Sequence, residues 1–102
     1  MAEMIRFVQQ QIMIRLNDNP KQNPYEKPIE TKEFLADYRV RYKVGLYASL
    51  RYFEDFKTIG YFHVEGEEFL INYEKIRFNP YGIKFPEPNK KQQLKEKPIP
   101  SK

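Results

Sequence analysis

The sequence contains no cysteine and no tryptophan, and it has a single histidine among its 102 residues. The lack of cysteine excludes a disulfide framework, a thiolate zinc site and a cysteine nucleophile. No apolar run approaches the roughly 20 residues that a transmembrane helix requires. The first residues, MAEMIRFVQQQ, also lack the cationic stretch followed by an apolar stretch that marks a secretory signal. These absences favour an intracellular protein that does not cross a membrane.

Residue patterns that carry catalysis are also missing. The only histidine, His63, is followed by Glu65, Glu67 and Glu68. One imidazole beside several carboxylates is more typical of surface ion pairs than of a metal site. Ser49 has no glycine elbow around it, and the four glycines are isolated, which excludes a phosphate-binding glycine loop. We therefore expect a protein that is not an enzyme and that binds no metal and no cofactor.

The sequence does contain a high share of aromatic residues, with eight Tyr and eight Phe. Such a content is typical of a packed core, and 102 residues are enough for one domain. The formal charge of +4 lies mostly at one end of the chain. Residues 86–102 hold five Lys, two Glu and four of the eight prolines, whereas residues 1–85 hold 13 basic and 12 acidic side chains. We predict a folded domain over residues 1–85 and a flexible, basic tail over residues 86–102.

Residues 39–53, RVRYKVGLYASLRYF, alternate between two sets of side chains. Apolar residues occupy the even positions. The opposite face carries Tyr47 and four cationic side chains, Arg39, Arg41, Lys43 and Arg51. A period of two over this length predicts a long, half-buried strand, with a bend or bulge at Gly45.

Other segments give shorter or weaker signals. Alternation of apolar residues predicts further strands within residues 4–16, 57–64 and 75–78. Prolines and asparagines predict a loop over residues 17–28, NDNPKQNPYEKP, and a turn over residues 79–82, NPYG.

Two segments with nearly the same letters, EFLADY (residues 33–38) and EFLINY (residues 68–73), are predicted to be short helices. In each segment Phe, Leu and Tyr fall at positions i, i+1 and i+4, which lie on one face of a helix. A strand is an alternative for EFLINY, because an extended chain would place Phe69, Ile71 and Tyr73 on one face.

The similarity of these two segments extends to their flanks and indicates an internal repeat. An apolar strand, a connection, a helix and a basic strand follow in the same order twice. We predict an α+β fold with an antiparallel sheet and two short helices. It would consist of two similar β-α-β-type motifs, residues 4–42 and 43–85, which are related by a pseudo-twofold axis and share the long strand 39–53.

The chain length, the EFLADY and EFLINY pair and the segments rich in Tyr, Lys and Ile resemble the small proteins of filamentous viruses that infect Acidianus. The resemblance extends over the whole chain but includes no motif with assigned chemistry. It implies a viral protein from a hot, acidic archaeal habitat, an α+β fold of two similar halves and no assigned enzymatic activity. We accordingly expect the protein in the host cytoplasm during infection, with the virion as an alternative.

A protein-binding module is the function that these features favour. Two similar motifs would leave a groove along their junction, in which a peptide or an extended segment could lie, and an exposed strand could accept a partner strand. Tyr and Arg are enriched at such interfaces. The candidate binding residues are Tyr38, Arg41, Tyr47, Arg51 and Tyr73. The protein itself would be a monomer or a weak homodimer.

Two alternatives stay open at this point. A basic sheet face with an aromatic residue can follow phosphates and stack bases, so nucleic acid is a second class of partner. Its candidate residues are Arg39, Arg41, Lys43, Arg51, Lys90 and Lys91. The second alternative is a minor component of the virion or of its assembly.

Overall fold

Four α-helices and three short strands follow one another along residues 2–88, which are the part of the chain described by the computed structural model. The helices are α1 (Ala2–Asp18), α2 (Thr31–Tyr42), α3 (Leu46–Ile59) and α4 (Tyr73–Ile76). The strands are β1 (Ile29–Glu30), β2 (Phe62–Glu65) and β3 (Glu68–Ile71). The predicted α+β class with an antiparallel sheet is confirmed, but the described chain has four helices where the sequence suggested two.

The sheet has the strand order β1-β3-β2, and both strand pairs are antiparallel. Gly66 has a φ of 64° at the first position of the two-residue connection between β2 and β3, a conformation that glycine adopts without steric cost. Phe62 lies opposite Ile71, and Val64 lies opposite Phe69. Because side chains alternate along a strand, these four residues share the face of the sheet that meets the helices.

The helices pack on this face through aromatic rings. The ring of Phe34 in α2 lies 5.1 Å from that of Phe7 in α1 and 5.0 Å from that of Phe69 in β3, measured between centroids. Phe53 of α3 lies 5.1 Å from Phe62. Edge-to-face and tilted rings at these distances attract each other beyond the area that they bury. The core is therefore a continuous aromatic cluster between the helices and the sheet.

The predicted long strand over residues 39–53 is wrong, because this segment ends α2, turns, and begins α3. Lys43 takes up the left-handed conformation, with a φ of 56°, and the N–H of Val44 bonds to the carbonyl oxygen of Arg39 at 3.1 Å. The even-numbered residues do not share a buried face either, since Val40 is 77% exposed and Leu46 is 54% exposed. The alternation of apolar and cationic residues over 39–53 therefore extends across two helices and the turn between them, and it does not reflect a strand.

The other predicted strands are also largely helical. Residues 4–16 lie in α1, where the buried residues follow a helical spacing: Met4, Ile5, Phe7, Val8 and Ile12. Residues 75–78 belong to α4 and the turn after it, and only Phe62 onward is extended within residues 57–64. The loop of residues 17–28 is confirmed apart from the end of α1 and a single 3-10 turn at Pro24–Glu26, and the turn of residues 79–82 is confirmed.

EFLADY and EFLINY have different structures, so the predicted repeat is not confirmed. EFLADY lies in α2 as predicted, whereas EFLINY begins with strand β3, and its helical prediction is wrong. The alternative prediction of an extended segment is confirmed, with Phe69 1% and Ile71 3% exposed. Pairing on both sides, with β1 and with β2, outweighs the local helical spacing of this segment. Most of the predicted tail, residues 89–102, lies outside the described residues.

Replacement of tyrosine by phenylalanine is expected to have different effects on the free energy of unfolding at two buried positions. Tyr38 is fully buried, and its hydroxyl has no hydrogen-bond partner among residues 2–88, whereas the Tyr25 hydroxyl donates to the carbonyl oxygen of Pro86. Removing an unpartnered buried hydroxyl relieves its desolvation, but removing a partnered one costs about 1 kcal/mol. We expect Tyr38→Phe to leave the free energy of unfolding unchanged or higher, and Tyr25→Phe to lower it, in urea denaturation at pH 7. A loss on Tyr38→Phe as large as that on Tyr25→Phe would contradict this account.

Tyr38 also predicts a dependence of stability on alkaline pH. Burial, with a smaller effect of the nearby Glu3 carboxylate, raises the pKa of Tyr38 to about 12, above the value of about 10 in an unfolded chain. Stability is fully present below pH 10 and falls as the pH rises towards the folded pKa, because the unfolded chain loses its proton first. The alkaline loss in Tyr38→Phe should be smaller than in the wild type when denaturation is compared at pH 8 and pH 11.

The turn between α2 and α3 predicts a stabilising substitution. A left-handed conformation costs a side-chain-bearing residue roughly 1 kcal/mol, which glycine avoids. Lys43→Gly should raise the free energy of unfolding by about 0.5–1 kcal/mol, and Lys43→Ala, which keeps a Cβ at the same φ, should give no such gain. An equal effect of both substitutions would show that the backbone conformation of Lys43 is not the cause.

Candidate protein-binding groove

An open groove of about 370 Å3 lies between the beginning of α2, the side of α3 and the hairpin of β2 and β3. Four apolar side chains line it: Leu35, Leu50, Phe53 and Val64. Four charged side chains also line it: Lys32, Glu54, Lys57 and Glu67. A concave apolar surface with a few charged groups is the usual make-up of a binding site in proteins.

The local structure explains how these side chains come together. Leu50, Phe53 and Lys57 recur at helical spacing along α3, so one side of the helix faces the groove. The hairpin is held against α2 by a hydrogen bond from the N–H of Thr31 to the carbonyl oxygen of Glu67, at 3.0 Å. Gly66 carries no side chain, and a Cβ at its position would meet no atom within 4 Å. The hairpin end of the groove is therefore open.

Leu50 is the least covered apolar residue of the groove. Its exposed fraction is 48%, whereas Leu35 is 6% exposed and Phe53 is 8% exposed. A leucine that projects from a buried apolar surface gains further hydrophobic free energy only when another molecule covers it. Leu50 is consequently the most accessible apolar side chain of the groove.

The charges around the groove balance. Two lysines face two glutamates, and the ammonium of Lys57 lies 3.6 Å from the carboxylate of Glu54. Both side chains of this pair are about half exposed or more, so the pair itself adds little stability. The groove therefore has no net charge that would attract phosphates or other polyanions.

The free edge of β2 borders the same region. The N–H of Asn72 bonds to the carbonyl oxygen of Tyr61 at 2.8 Å, which fixes the hydrogen-bonding phase of the hairpin. In this phase the backbone groups of Phe62 and Val64 point away from β3. No hydrogen bond within residues 2–88 uses them. Val64 thus presents its side chain to the groove and its backbone to an open sheet edge.

The predicted protein-binding residues lie in separate places. Arg41, Tyr47 and Arg51 are exposed near the junction of α2 and α3, where Tyr47 and Arg51 are one helical turn apart. The Arg41 guanidinium lies 3.4 Å from the carboxylate of Asp37. Tyr38 is buried in the core, and Tyr73 packs against the ring of Tyr25 at 5.0 Å. None of these five side chains lines the groove.

The predicted nucleic-acid residues do not share a sheet face. Arg39, Arg41 and Lys43 belong to the end of α2, and Arg51 belongs to α3. Arg39 is partly buried, and its Nε atom has no hydrogen-bond partner among residues 2–88. Lys90 and Lys91 lie outside the described residues.

The groove residues were missed because their segment was interpreted as a strand. Leu50, Phe53 and Lys57 follow the spacing i, i+3 and i+7 of one helical face. This helical spacing is present in the sequence, but the alternation of apolar and polar residues in the same segment favoured the strand prediction. Val64 was placed correctly in a strand, although its partner strand was not identified.

Two further clefts of similar volume in the described residues have a more polar lining, and one of them, of about 330 Å3, lies beside Tyr73, Arg77 and Lys84. A second cleft of about 360 Å3, between α1, α2 and β1, has a mainly polar and acidic lining, with Arg15 as the cationic side chain opposite Glu30, Glu33 and Asp37. The imidazole of His63 lies 3.2 Å from the carboxylate of Glu65, on the exposed face of the sheet. Within residues 2–88 no set of three or more His, Cys, Asp or Glu side chains is placed to hold a metal. Nor does that stretch include a helix with the length and apolar character for a membrane crossing.

Comparisons with protein-family models, with curated proteins and with solved structures found no match to this chain.

Proposed function

We propose that the protein binds another protein, and that the groove between α2, α3 and the β2–β3 hairpin holds an apolar segment of that partner. The observation that carries the proposal is the half-exposed Leu50 beside the buried Leu35 and Phe53 in the apolar groove. A groove between two repeated motifs was the site expected from the sequence. The proposed groove lies instead between α2, α3 and the β2–β3 hairpin.

The geometry favours a protein segment over a small polar ligand. The groove is open, and most of its accessible lining is apolar although Thr31 and four charged side chains also line it. Its charged groups can fix the orientation of a bound chain, while the affinity comes from burial at about 25 cal/mol per Å2 of apolar surface. Covering one leucine and its neighbours corresponds to a moderate affinity, which suits a reversible interaction.

The experiment is a selection of displayed random peptides on the immobilised full chain, followed by affinity measurements on the peptides recovered. We expect peptides with at least one large apolar residue and dissociation constants in the range of about 1–100 µM. Leu50→Asp places a carboxylate on the apolar surface and should weaken binding tenfold or more, because that charge would have to be desolvated.

Val40→Asp is the matched control. It makes the same kind of change on an exposed helical position, since Val40 is 77% exposed and does not line the groove. Affinity should change less than twofold, and both variants should keep the wild-type circular dichroism spectrum. Recovery of no peptide, or equal binding by Leu50→Asp and the wild type, would rule out the groove as the site.

Nucleic-acid binding is a second candidate function, which the arrangement of α2 and α3 favours. A turn of residues 43–45 joins these two helices, as in helix-turn-helix motifs whose second helix enters the DNA major groove. A helix-turn-helix that is followed by a β-hairpin is called a winged helix, and the order α2, α3, β2, β3 has this form. Tyr47 and Arg51 would then be on the DNA-facing helix.

Electrostatics weigh against this second candidate. Residues 2–88 carry thirteen Lys or Arg and thirteen Asp or Glu, so this part of the chain has no net charge. The hairpin, which lies beside α3 at the groove, carries Glu65, Glu67 and Glu68. A duplex that met α3 in this region would bring its phosphates close to these carboxylates, which repel them.

A salt-dependent binding assay separates the two candidates. With fluorescein-labelled duplex and single-stranded DNA at 20 mM and 150 mM salt, we expect no saturable anisotropy change that depends on Arg51. If the second candidate is correct, Arg51→Glu will weaken DNA binding tenfold or more at 20 mM salt, while Lys84→Glu, on the segment after α4, will weaken it much less. A viral origin and a place in a virion or its assembly stay predictions.

A further inference from the structure

We propose that two copies of this chain associate through the open edges of their β2 strands, forming one continuous antiparallel sheet of six strands. The proposal concerns a different surface from the apolar groove and does not rest on the proposed function. Its basis is the pattern of backbone groups on the edge of β2.

The edge of β2 is complementary to itself. Its outward N–H and C=O groups belong to Phe62 and Val64, which lie on either side of His63. When a second copy runs antiparallel, with the twofold axis at His63, Phe62 of each copy lies opposite Val64 of the other. Each of these two pairs exchanges two hydrogen bonds, so four bonds satisfy all the groups that are free in the monomer.

The side chains of β2 are compatible with this pairing on both faces. On the face towards the helices, Val64 is partly exposed, whereas Phe62, Phe69 and Ile71 are buried. A second copy would bring its Phe62 beside this valine and extend the apolar core. On the outer face, His63 meets its own counterpart at the axis, with the carboxylates of both Glu65 residues as the nearest charged groups of β2.

β2 is short and carries Glu65, but it lacks three other features that prevent edge-to-edge pairing. It contains no lysine and no proline, and its register with β3 is continuous, without a bulge. Residues 2–88 carry no net charge, so two copies do not repel each other at long range. The carboxylates of Glu65, Glu67 and Glu68 oppose the close approach of two hairpins, and the match of outward N–H and C=O groups across the twofold axis is what favours a second copy. With only four residues in β2, the dimer should be weak, with a dissociation constant of about 10 µM to 1 mM.

Sedimentation equilibrium of the full chain tests the proposal. The average mass should rise from the monomer value of 12.4 kDa at 2 µM towards twice that value at 1 mM. Val64→Pro should weaken association tenfold or more, because it removes two of the four interchain hydrogen bonds while an edge position tolerates proline. Val64→Ala, which keeps the N–H, is the control and should still dimerise.

A second variant and a second measurement test the β2 pairing without introducing a proline. His63→Glu, at an exposed position, places two carboxylates opposite each other and beside those of both Glu65 residues, and should weaken association tenfold or more, whereas His63→Gln should not. In amide hydrogen exchange, Phe62 and Val64 should exchange quickly in dilute protein and slowly at 1 mM. The amide of Leu70, which pairs with His63 inside the hairpin, should be protected at both concentrations.

Two results would overturn the proposal. One is a mass that stays at 12.4 kDa up to 1 mM. The other is association that persists unchanged in both Val64→Pro and His63→Glu, which would place the dimer contact elsewhere. If the chain is monomeric and the peptides selected on the groove protect the amides of Phe62 and Val64, the occupant of the edge is a foreign strand and not a second copy.

Discussion

The structure depends on the ring of Phe34. This side chain projects from the first turn of α2 and lies within 6.5 Å of four other phenylalanine rings, measured between centroids. The four rings come from the other three elements of the core assembly: Phe7 from α1, Phe53 from α3, and Phe62 and Phe69 from the hairpin. A two-residue strand and two four-residue strands cannot form a stable sheet alone. Burial of this cluster therefore stabilises the sheet and the helix packing together, and it fixes the position of the hairpin relative to α2 and α3.

The groove follows from the same packing. Because Phe53 turns inward to Phe34, the neighbouring positions on α3 point towards the opening between α2 and the hairpin. At that opening Phe53 and Leu35 are buried, whereas Leu50 is about half exposed. The two surfaces that could bind partners, the apolar groove and the edge of β2, meet at Val64. The hairpin next to them carries Glu65, Glu67 and Glu68, whose carboxylates repel polyanions.

Sequence reasoning succeeded where a local signal and the tertiary structure agree. EFLADY forms a helix in which Phe34, Leu35 and Tyr38 are buried, as their spacing indicates. EFLINY has the same spacing of Phe, Leu and Tyr but follows the Gly66 turn, and pairing with β2 and β1 makes it a strand. Two nearly identical segments thus adopt different secondary structures, and pairing with strands distant in the sequence decides which structure forms. In residues 39–53 the failure had a different origin, because two helices joined by the Lys43 turn produced a period of two by coincidence. The groove could not be located from the sequence, since it requires the packing of three elements that lie far apart along the chain.

The chain after α4 returns to the beginning of the protein. The amide of Gln9 donates to the carbonyl oxygen of Lys84 at 2.6 Å, and the Tyr25 hydroxyl donates to that of Pro86. During synthesis on a ribosome these acceptors are made well after their donors, because they lie 75 residues beyond Gln9 and 61 residues beyond Tyr25. The nascent chain can close these two hydrogen bonds only once residue 86 has left the ribosome, and a premature stop before residue 84 would remove both acceptors.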